Sequence, residues 1–139
     1  MLTPFHLAIG VSDLEAAECF YRDVMGCPVG RRGQDWVDFN LMGHQLVCHR
    51  VPVLAQQFEN PVDGDAVPVP HFGVVLTLSD FALLRDRLQK QGVEFVIEPT
   101  TRFVGEAGEQ SIMFLRDPSG NAIEFKAFQN IETALFATE

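Results

Sequence analysis

The chain has 139 residues and a mass of 15.5 kDa, which suits one domain with a substantial core. Hydrophobic residues make up 47% and charged residues 21%, which excludes an intrinsically disordered chain. Acidic residues outnumber basic ones 19 to 10, a formal net charge of −9, so the chain lacks the basic footprint needed for nucleic acid or anionic membrane.

Phe5–Val11 is the first apolar run and reads as a strand. Ser12-Asp13-Leu14-Glu15 follows, with Ser and Glu at capping-box spacing. Leu14, Ala17, Tyr21 and Val24 recur at helical spacing. Gly26 supplies a left-handed stop and Pro28 blocks resumption, so a helix is predicted over 12–25. Val29–Arg31, Asp35–Met42 and Gln45–Val51 read as three extended pieces, with a turn at Gly43. Residues 52–70 are punctuated by Pro52, Pro61, Pro68 and Pro70 and carry an Asp63-Gly64-Asp65 turn signal. They read as a connecting linker or flap, with one helical turn near Leu54–Phe58.

The pattern then repeats. His71–Leu78 is an apolar run, and Ser79 and Asp80 are cap candidates. Phe81, Leu84 and Leu88 follow at helical spacing, and Gly92 ends that helix. Val93–Ile97 reads as a strand, Pro99–Gln110 as a loop and Ser111–Leu115 as a strand. Asp117-Pro118-Ser119-Gly120 reads as a tight turn and Asn121–Phe128 as the last strand. Residues 129–139 read as a short terminal helix. The chain therefore contains two copies of β-α-β-β-β, in which His6 and His71 occupy the same place in the opening strand. The fold class is α+β. Two βαβββ modules, about 1–51 and 70–128, are joined by a linker over 52–69 and followed by a tail over 129–139. Their sheets would together form a curved mixed sheet that encloses a cleft, all within a single domain.

Side chains alternate across a strand, so parity fixes which residues share a face. His6 and His71 would face one another across a pseudo-twofold cleft. Glu124 lies between Ile123 and Phe125, where a carboxylate is costly to bury unless a cation or a partner compensates it. Two imidazoles and one carboxylate would make a facial metal site with open positions. The alternatives are hydrogen-bonded strand histidines and a Glu124 paired with Lys126 or Arg116. The three cysteines, Cys19, Cys27 and Cys48, have no CxxC spacing and lie in or beside apolar stretches. They read as free, buried thiols in a cytoplasmic protein. The N-terminus lacks the character of a signal peptide, and no apolar run approaches membrane-spanning length.

Two segments carry a family resemblance. Phe5-His6-Leu7-Ala8-Ile9-Gly10-Val11-Ser12-Asp13-Leu14, with Phe20-Tyr21-Arg22-Asp23-Val24-Met25-Gly26, resembles the opening of the vicinal oxygen chelate superfamily. Pro70-His71-Phe72-Gly73-Val74 and Phe114-Leu115-Arg116-Asp117-Pro118-Ser119-Gly120-Asn121-Ala122-Ile123-Glu124-Phe125 are similar to its second half. That superfamily includes glyoxalase I, bleomycin-resistance proteins, fosfomycin-resistance thiol transferases, methylmalonyl-CoA epimerase and type I extradiol dioxygenases. The resemblance implies a divalent metal on His6, His71 and Glu124, and a homodimer that takes a small-molecule substrate.

Matching Gly43 to Gly120 puts Val47 opposite Glu124, where glyoxalase I and the epimerase have a fourth ligand. Valine cannot ligate, so three protein ligands remain, as in the dioxygenases and the fosfomycin transferases. The leading expectation is an enzyme resembling extradiol dioxygenases, with Fe(II) favoured and Mn, Zn, Ni or Co as other occupants. His49 shares a face with Gln45 and Val47 by parity and is the candidate acid–base residue. His44 belongs to the opposite face as a turn residue. Trp36, Phe39, Phe103 and Phe125 are candidate pocket residues. The competing expectations are a metal-free protein that sequesters a small hydrophobic molecule, and a lyase, isomerase or thiol transferase on the same metal.

Overall fold

The computed structural model describes residues 2–138. Two compact units divide the chain. One is built from the chain up to Gln56 together with Asp117–Asn121. The other comprises Gln57–Arg116 together with the chain from Ala122 onward.

The first unit contains β1 (His6–Val11), a helix α1 (Leu14–Glu18) that continues as a wider π-type coil over Cys19–Val24, β2 (Val29–Arg32), β3 (Trp36–Leu41) and β4 (His44–Arg50). The sheet order is β1-β4-β3-β2, with β1 parallel to β4 and the other pairs antiparallel. Met42 and Gly43 have φ of 51° and 93°, the two left-handed residues that a tight β-hairpin needs, so β3 and β4 pair without a slip. Val37, Phe39, Leu46 and Cys48 are buried on one face of the sheet. Tyr21 packs on that face with its ring 5.3 Å from the ring of Phe39. The helix starts one residue later than the capping-box spacing predicts. Asp13 accepts the Ala16 N–H at 3.1 Å, while the Ser12 N–H is engaged with Ser119 Oγ at 2.9 Å.

The Asp117–Asn121 turn is built into this unit through Asp117, which is 4% exposed. Asp117 accepts from the Tyr21 hydroxyl at 2.8 Å. It also accepts from the Ser119 N–H, the Asn121 N–H and Asn121 Nδ2, each at 2.9 Å. Asn121 Nδ2 donates to the Gly10 carbonyl as well.

The second unit begins with a hairpin, β5 (Phe58–Val62) and β6 (Asp65–Val69), and continues with β7 (His71–Phe72), β8 (Val75–Thr77), α2 (Leu78–Lys90), β9 (Ile97–Arg102), β10 (Gln110–Arg116), β11 (Ala122–Phe128) and α3 (Ile131–Ala134). Its sheet runs β7-β11-β10-β9, and β8 also pairs with β11. Both β7 and β8 are parallel to β11, so this unit repeats the topology of the first: opening strand beside the last, last beside the penultimate. The α+β class and the doubled β-α-β-β-β order are thus as the sequence predicts.

Three expectations are corrected. The predicted helical turn near Leu54–Phe58 is absent: 54–57 are irregular and the segment goes on to form the β5–β6 hairpin. The hairpin is held because Arg102, 4% exposed, donates to the Val62 carbonyl at 2.6 Å and to Asp65 at 2.9 Å. Val67 also joins a buried cluster with Ile97, Ile112 and Phe114. The strand predicted over Val93–Ile97 lies later, at Ile97–Arg102, within the stretch read as a loop. Pro99 obscured it. Ile97 pairs with Phe114 and Thr100 with Ile112, so two residues, Glu98 and Pro99, face Met113 alone. A bulge of this kind tolerates a proline that cannot donate. Finally, α2 begins at Leu78, capped by Thr77, whose hydroxyl accepts the Asp80 N–H at 3.2 Å.

Cys27 and Cys48 are buried, but Cys19 is exposed, against the expectation of three buried thiols. Burial pushes the Cys48 thiol up to about 12. A native-state thiol titration should therefore label one cysteine quickly and the other two only on unfolding. Fast labelling of all three would contradict this packing. Among the described residues no helix is long and apolar enough to cross a membrane.

Candidate metal centre

In the second unit, the two-residue strand β7 places His71 beside Ala122, two positions before Glu124 on β11. Its Nδ1 stands 2.6 Å from the Pro68 carbonyl, which can only accept, so Nδ1 carries a proton. That leaves Nε2 turned to Glu124, 3.5 Å from Oε1. The ring also meets Phe114 edge-on at 4.9 Å. Glu124 is 9% exposed, and Lys126 Nζ lies 3.6 Å from the same Oε1. A cleft of about 230 Å³ opens in front of His71, Glu124 and Lys126, with Gly73 in its wall. Both partners named as alternatives for Glu124 are thus resolved: Lys126 is near it, while Arg116 donates instead to Gln57 at 2.5 Å.

The hydrogen bond to Glu124 raises the His71 pKa above its usual value, against the opposing effect of burial, and the Pro68 carbonyl adds to the rise. The raised folded value means that protonated His71 contributes stability in acid. That contribution is complete below the ordinary histidine value of ~6.5 and is lost as the pH rises through the folded value. An NMR titration of Glu124→Gln should show the His71 pKa falling toward its ordinary value. An unchanged pKa would mean that Glu124 does not set it.

In the first unit, β1 pairs His6 with Gln45 of β4, and His6 Nδ1 is 2.7 Å from Gln45 Oε1. Gln45 Nε2 donates to Asp38 Oδ2 at 3.0 Å. Asp38 Oδ1 accepts the Arg31 N–H. The strand registers support the alignment of Val47 with Glu124. Each lies two positions beyond the residue paired with its unit's histidine, Gln45 in one unit and Ala122 in the other.

His49 is exposed on the same face as Gln45 and Val47, opposite Trp36 in the ladder. Trp36 is half-buried on that face. Phe39 and Phe125 are corrections. Both are fully buried on the opposite faces of their strands, Phe39 against Tyr21, so core packing accounts for them. Phe103 is half-buried just after β9, in a left-handed conformation with φ of 56°. His44 opens β4 and accepts the Phe5 N–H at 2.9 Å, a strand-tying role.

The structure therefore brings His71 and Glu124 together in one unit and holds His6 on β1 in the other. Among the described residues no three His, Cys, Asp or Glu side chains form a ready metal cluster. The donor chemistry nevertheless fits a divalent cation. Each histidine has its Nδ1 against an oxygen and its Nε2 left over, as in metal-binding histidines, and a carboxylate faces one of those nitrogens. Sequence reasoning missed the Gln45–Asp38 pair and the place of Lys126 in the cleft. The first was signalled by a charged residue in the apolar run Trp36-Val37-Asp38-Phe39.

A solved glyoxalase/bleomycin resistance protein/dioxygenase from Alicyclobacillus acidocaldarius is 32% identical over 94% of this chain and 95% of its own, with a TM-score of 0.77. A lactoylglutathione lyase from Agrobacterium tumefaciens shares the fold at 19% identity, covering 91% and 94%, with a TM-score of 0.62. The fosfomycin resistance protein FosX from Listeria monocytogenes does so at 16% identity, covering 96% and 97%, with a TM-score of 0.65. The sequence profile of one family matches residues 3–125, and with that the doubled topology has its explanation: the chain belongs to the glyoxalase/bleomycin resistance protein/dioxygenase superfamily.

Proposed function

We propose that this protein is a metal-dependent enzyme in which His6, His71 and Glu124 hold one divalent cation, with Fe(II) favoured. On this reading it acts on a small substrate with two adjacent oxygens, as type I extradiol dioxygenases act on catechols. The observation that carries the reading is the matched state of the two histidines. Each has Nδ1 engaged by an oxygen, and Nε2 of His71 faces Glu124 at 3.5 Å. The proposal includes the meeting of the three ligands, within one chain or across a homodimer.

With Val47 in place of a fourth ligand, three protein side chains would hold the cation and leave part of it open to substrate and O₂. The cation, when bound, acidifies the substrate hydroxyls and supplies redox chemistry. The chain's own groups do the rest. His49 would take up the released proton, Lys126 would stabilise negative charge on a substrate oxygen, and Trp36 would offer a ring face to an aromatic substrate.

A second reading has one observation in its favour. Glu124 already has His71 and Lys126 as charge partners, so the pocket is compensated without a cation and could hold a small molecule by itself. Anaerobic loading with Fe(II), followed by O₂ uptake on a catechol panel, tests the leading reading. Ring-cleaved product is expected from the wild type, with a loss of at least 100-fold in His71→Ala and Glu124→Ala, on the order seen when metal positioning is removed. Metal binding without O₂ uptake on any catechol would overturn the dioxygenase chemistry. Ligand binding by metal-free protein, with no metal uptake, would favour sequestration.

A further inference from the structure

Hydrogen-bond geometry in the first unit assigns the protons along a chain of four groups. Both Asp38 oxygens act as acceptors, one from the Arg31 N–H and the other from Gln45 at 3.0 Å. The Gln45 atom facing Asp38 must therefore be its NH₂, which turns the amide oxygen toward His6. That oxygen can only accept, so the His6 Nδ1 at 2.7 Å is the protonated nitrogen, and Nε2 carries the lone pair. Asp38 is itself held: it is 7% exposed, and a Cβ on Gly30 would come within 2.2 Å of its Oδ1. Glycine at position 30 lets the carboxylate sit against β2 where the Arg31 N–H meets it.

The two histidines thus reach the same state by different means. His71 is fixed by the main-chain carbonyl of Pro68. The residue beside His6 on β4 is Gln45, whereas the residue beside His71 on β11 is Ala122, which has no group to give. A side-chain relay in one unit replaces a backbone contact in the other.

We infer that Asp38 and Gln45 are positioning residues that lock His6 in the tautomer with a bare Nε2, ready to bind a divalent cation. This inference rests on the metal-dependent reading above, and its test separates the two. The relay sets the tautomer in the metal-free protein. It contributes to metal affinity because an imidazole already in the ligating tautomer, with its ring orientation fixed, binds without rearrangement. Gln45 is exposed, so its substitution leaves the core of the unit intact.

The test uses the ¹⁵N signals of the His6 ring in metal-free protein, at a pH where the ring is neutral, for wild type, Gln45→Leu and Asp38→Asn. The wild type should show a protonated Nδ1 and a bare Nε2. Gln45→Leu should shift toward the protonated-Nε2 form that a free histidine side chain prefers. Asp38→Asn should give a mixture, because an amide at 38 no longer dictates which way Gln45 faces. Titration with Mn(II), read by the loss of the free-ion resonance signal, should then show weakening on the order of 10–100-fold in Gln45→Leu.

A wild-type ring protonated on Nε2, or a Gln45→Leu ring still protonated on Nδ1, would overturn the inference. If the tautomer responds as expected but neither protein takes up Mn(II), the relay stands and the metal-dependent reading falls. If Gln45→Leu binds Mn(II) as tightly as wild type despite the tautomer change, the contribution to affinity is refuted.

Discussion

Asp117→Ala should lower the unfolding free energy by ~3–5 kcal/mol, because several buried donors lose their acceptor together and each costs about 1–3 kcal/mol when left unsatisfied. The alanine would take the acceptor from the Tyr21 hydroxyl and two main-chain N–H groups at once, and would leave the Asn121 amide only the Gly10 carbonyl. Tyr21→Phe removes one donor and leaves the other three in place, so a smaller loss of ~1–2 kcal/mol is expected. Urea unfolding of both variants checks the pair, and an Asp117→Ala protein within ~1 kcal/mol of wild type would show that the turn is not held this way. The same contact has a pH signature. Burial first, and Asp117 second, push the Tyr21 hydroxyl well above its ordinary value. The unfolded tyrosine ionises near ~10 while the folded one stays neutral, so this group's contribution is intact below that pH and is lost as the pH rises beyond it.

That result bears on what the sequence reveals. The Asp-Pro-Ser-Gly-Asn segment is the most recognisable stretch of the chain, and it reads naturally as a tight turn. Its hydrogen bonds to Tyr21, Ser12 and Gly10 join residues about a hundred positions apart, which no local pattern announces. Alternation or helical spacing was sufficient for β1, β3, β4 and α2, which bury one face more than the other, while β10 and β11 announce themselves as short apolar runs buried on both faces. The local pattern failed for β5, whose burial is uniformly low and which contains Pro61, and for β9, where Pro99 is absorbed by a bulge. In both cases tertiary pairing overrides a local breaker.

The candidate site was partly legible for the same physical reason. Parity put His49, Val47 and Gln45 on one face, and the ladder bears this out because no bulge interrupts β4. Parity also separates Glu124 from Phe125 and Asp38 from Phe39, and applying it to the aromatics would have sent Phe39 and Phe125 to the core at once. Tautomers were beyond reach, since they follow from which oxygen faces which ring nitrogen. Proline 68 supplies that oxygen to His71 through its main chain, and a carbonyl's direction is not written in the side-chain pattern.

Gly73→Ala is the second substitution with a large expected effect. Two positions after its histidine, the first unit has Ala8, paired with Val47 in a continuous strand. The second unit has Gly73 at the matching place, where the opening strand is broken into β7 and β8. A Cβ there would lie 1.4 Å from the main-chain oxygen of Glu124. The obstacle is backbone, so no rotamer change relieves it, and either the opening segment or β11 must move. We expect a destabilisation of ~3 kcal/mol or more, the upper part of the range for overpacking. Gly10→Ala is the control: its nearest obstacle is a Val51 methyl at 2.9 Å, which can shift, so a loss near ~1 kcal/mol is expected. The site supplies a second readout. Moving β11 away from β7 lengthens the His71–Glu124 contact, and the His71 pKa should fall toward its ordinary value in Gly73→Ala while staying raised in Gly10→Ala. A Gly73→Ala protein of wild-type stability with an unchanged His71 pKa would mean that this close approach does not hold imidazole and carboxylate together, and their spacing would then have to be set by the Pro68 contact alone.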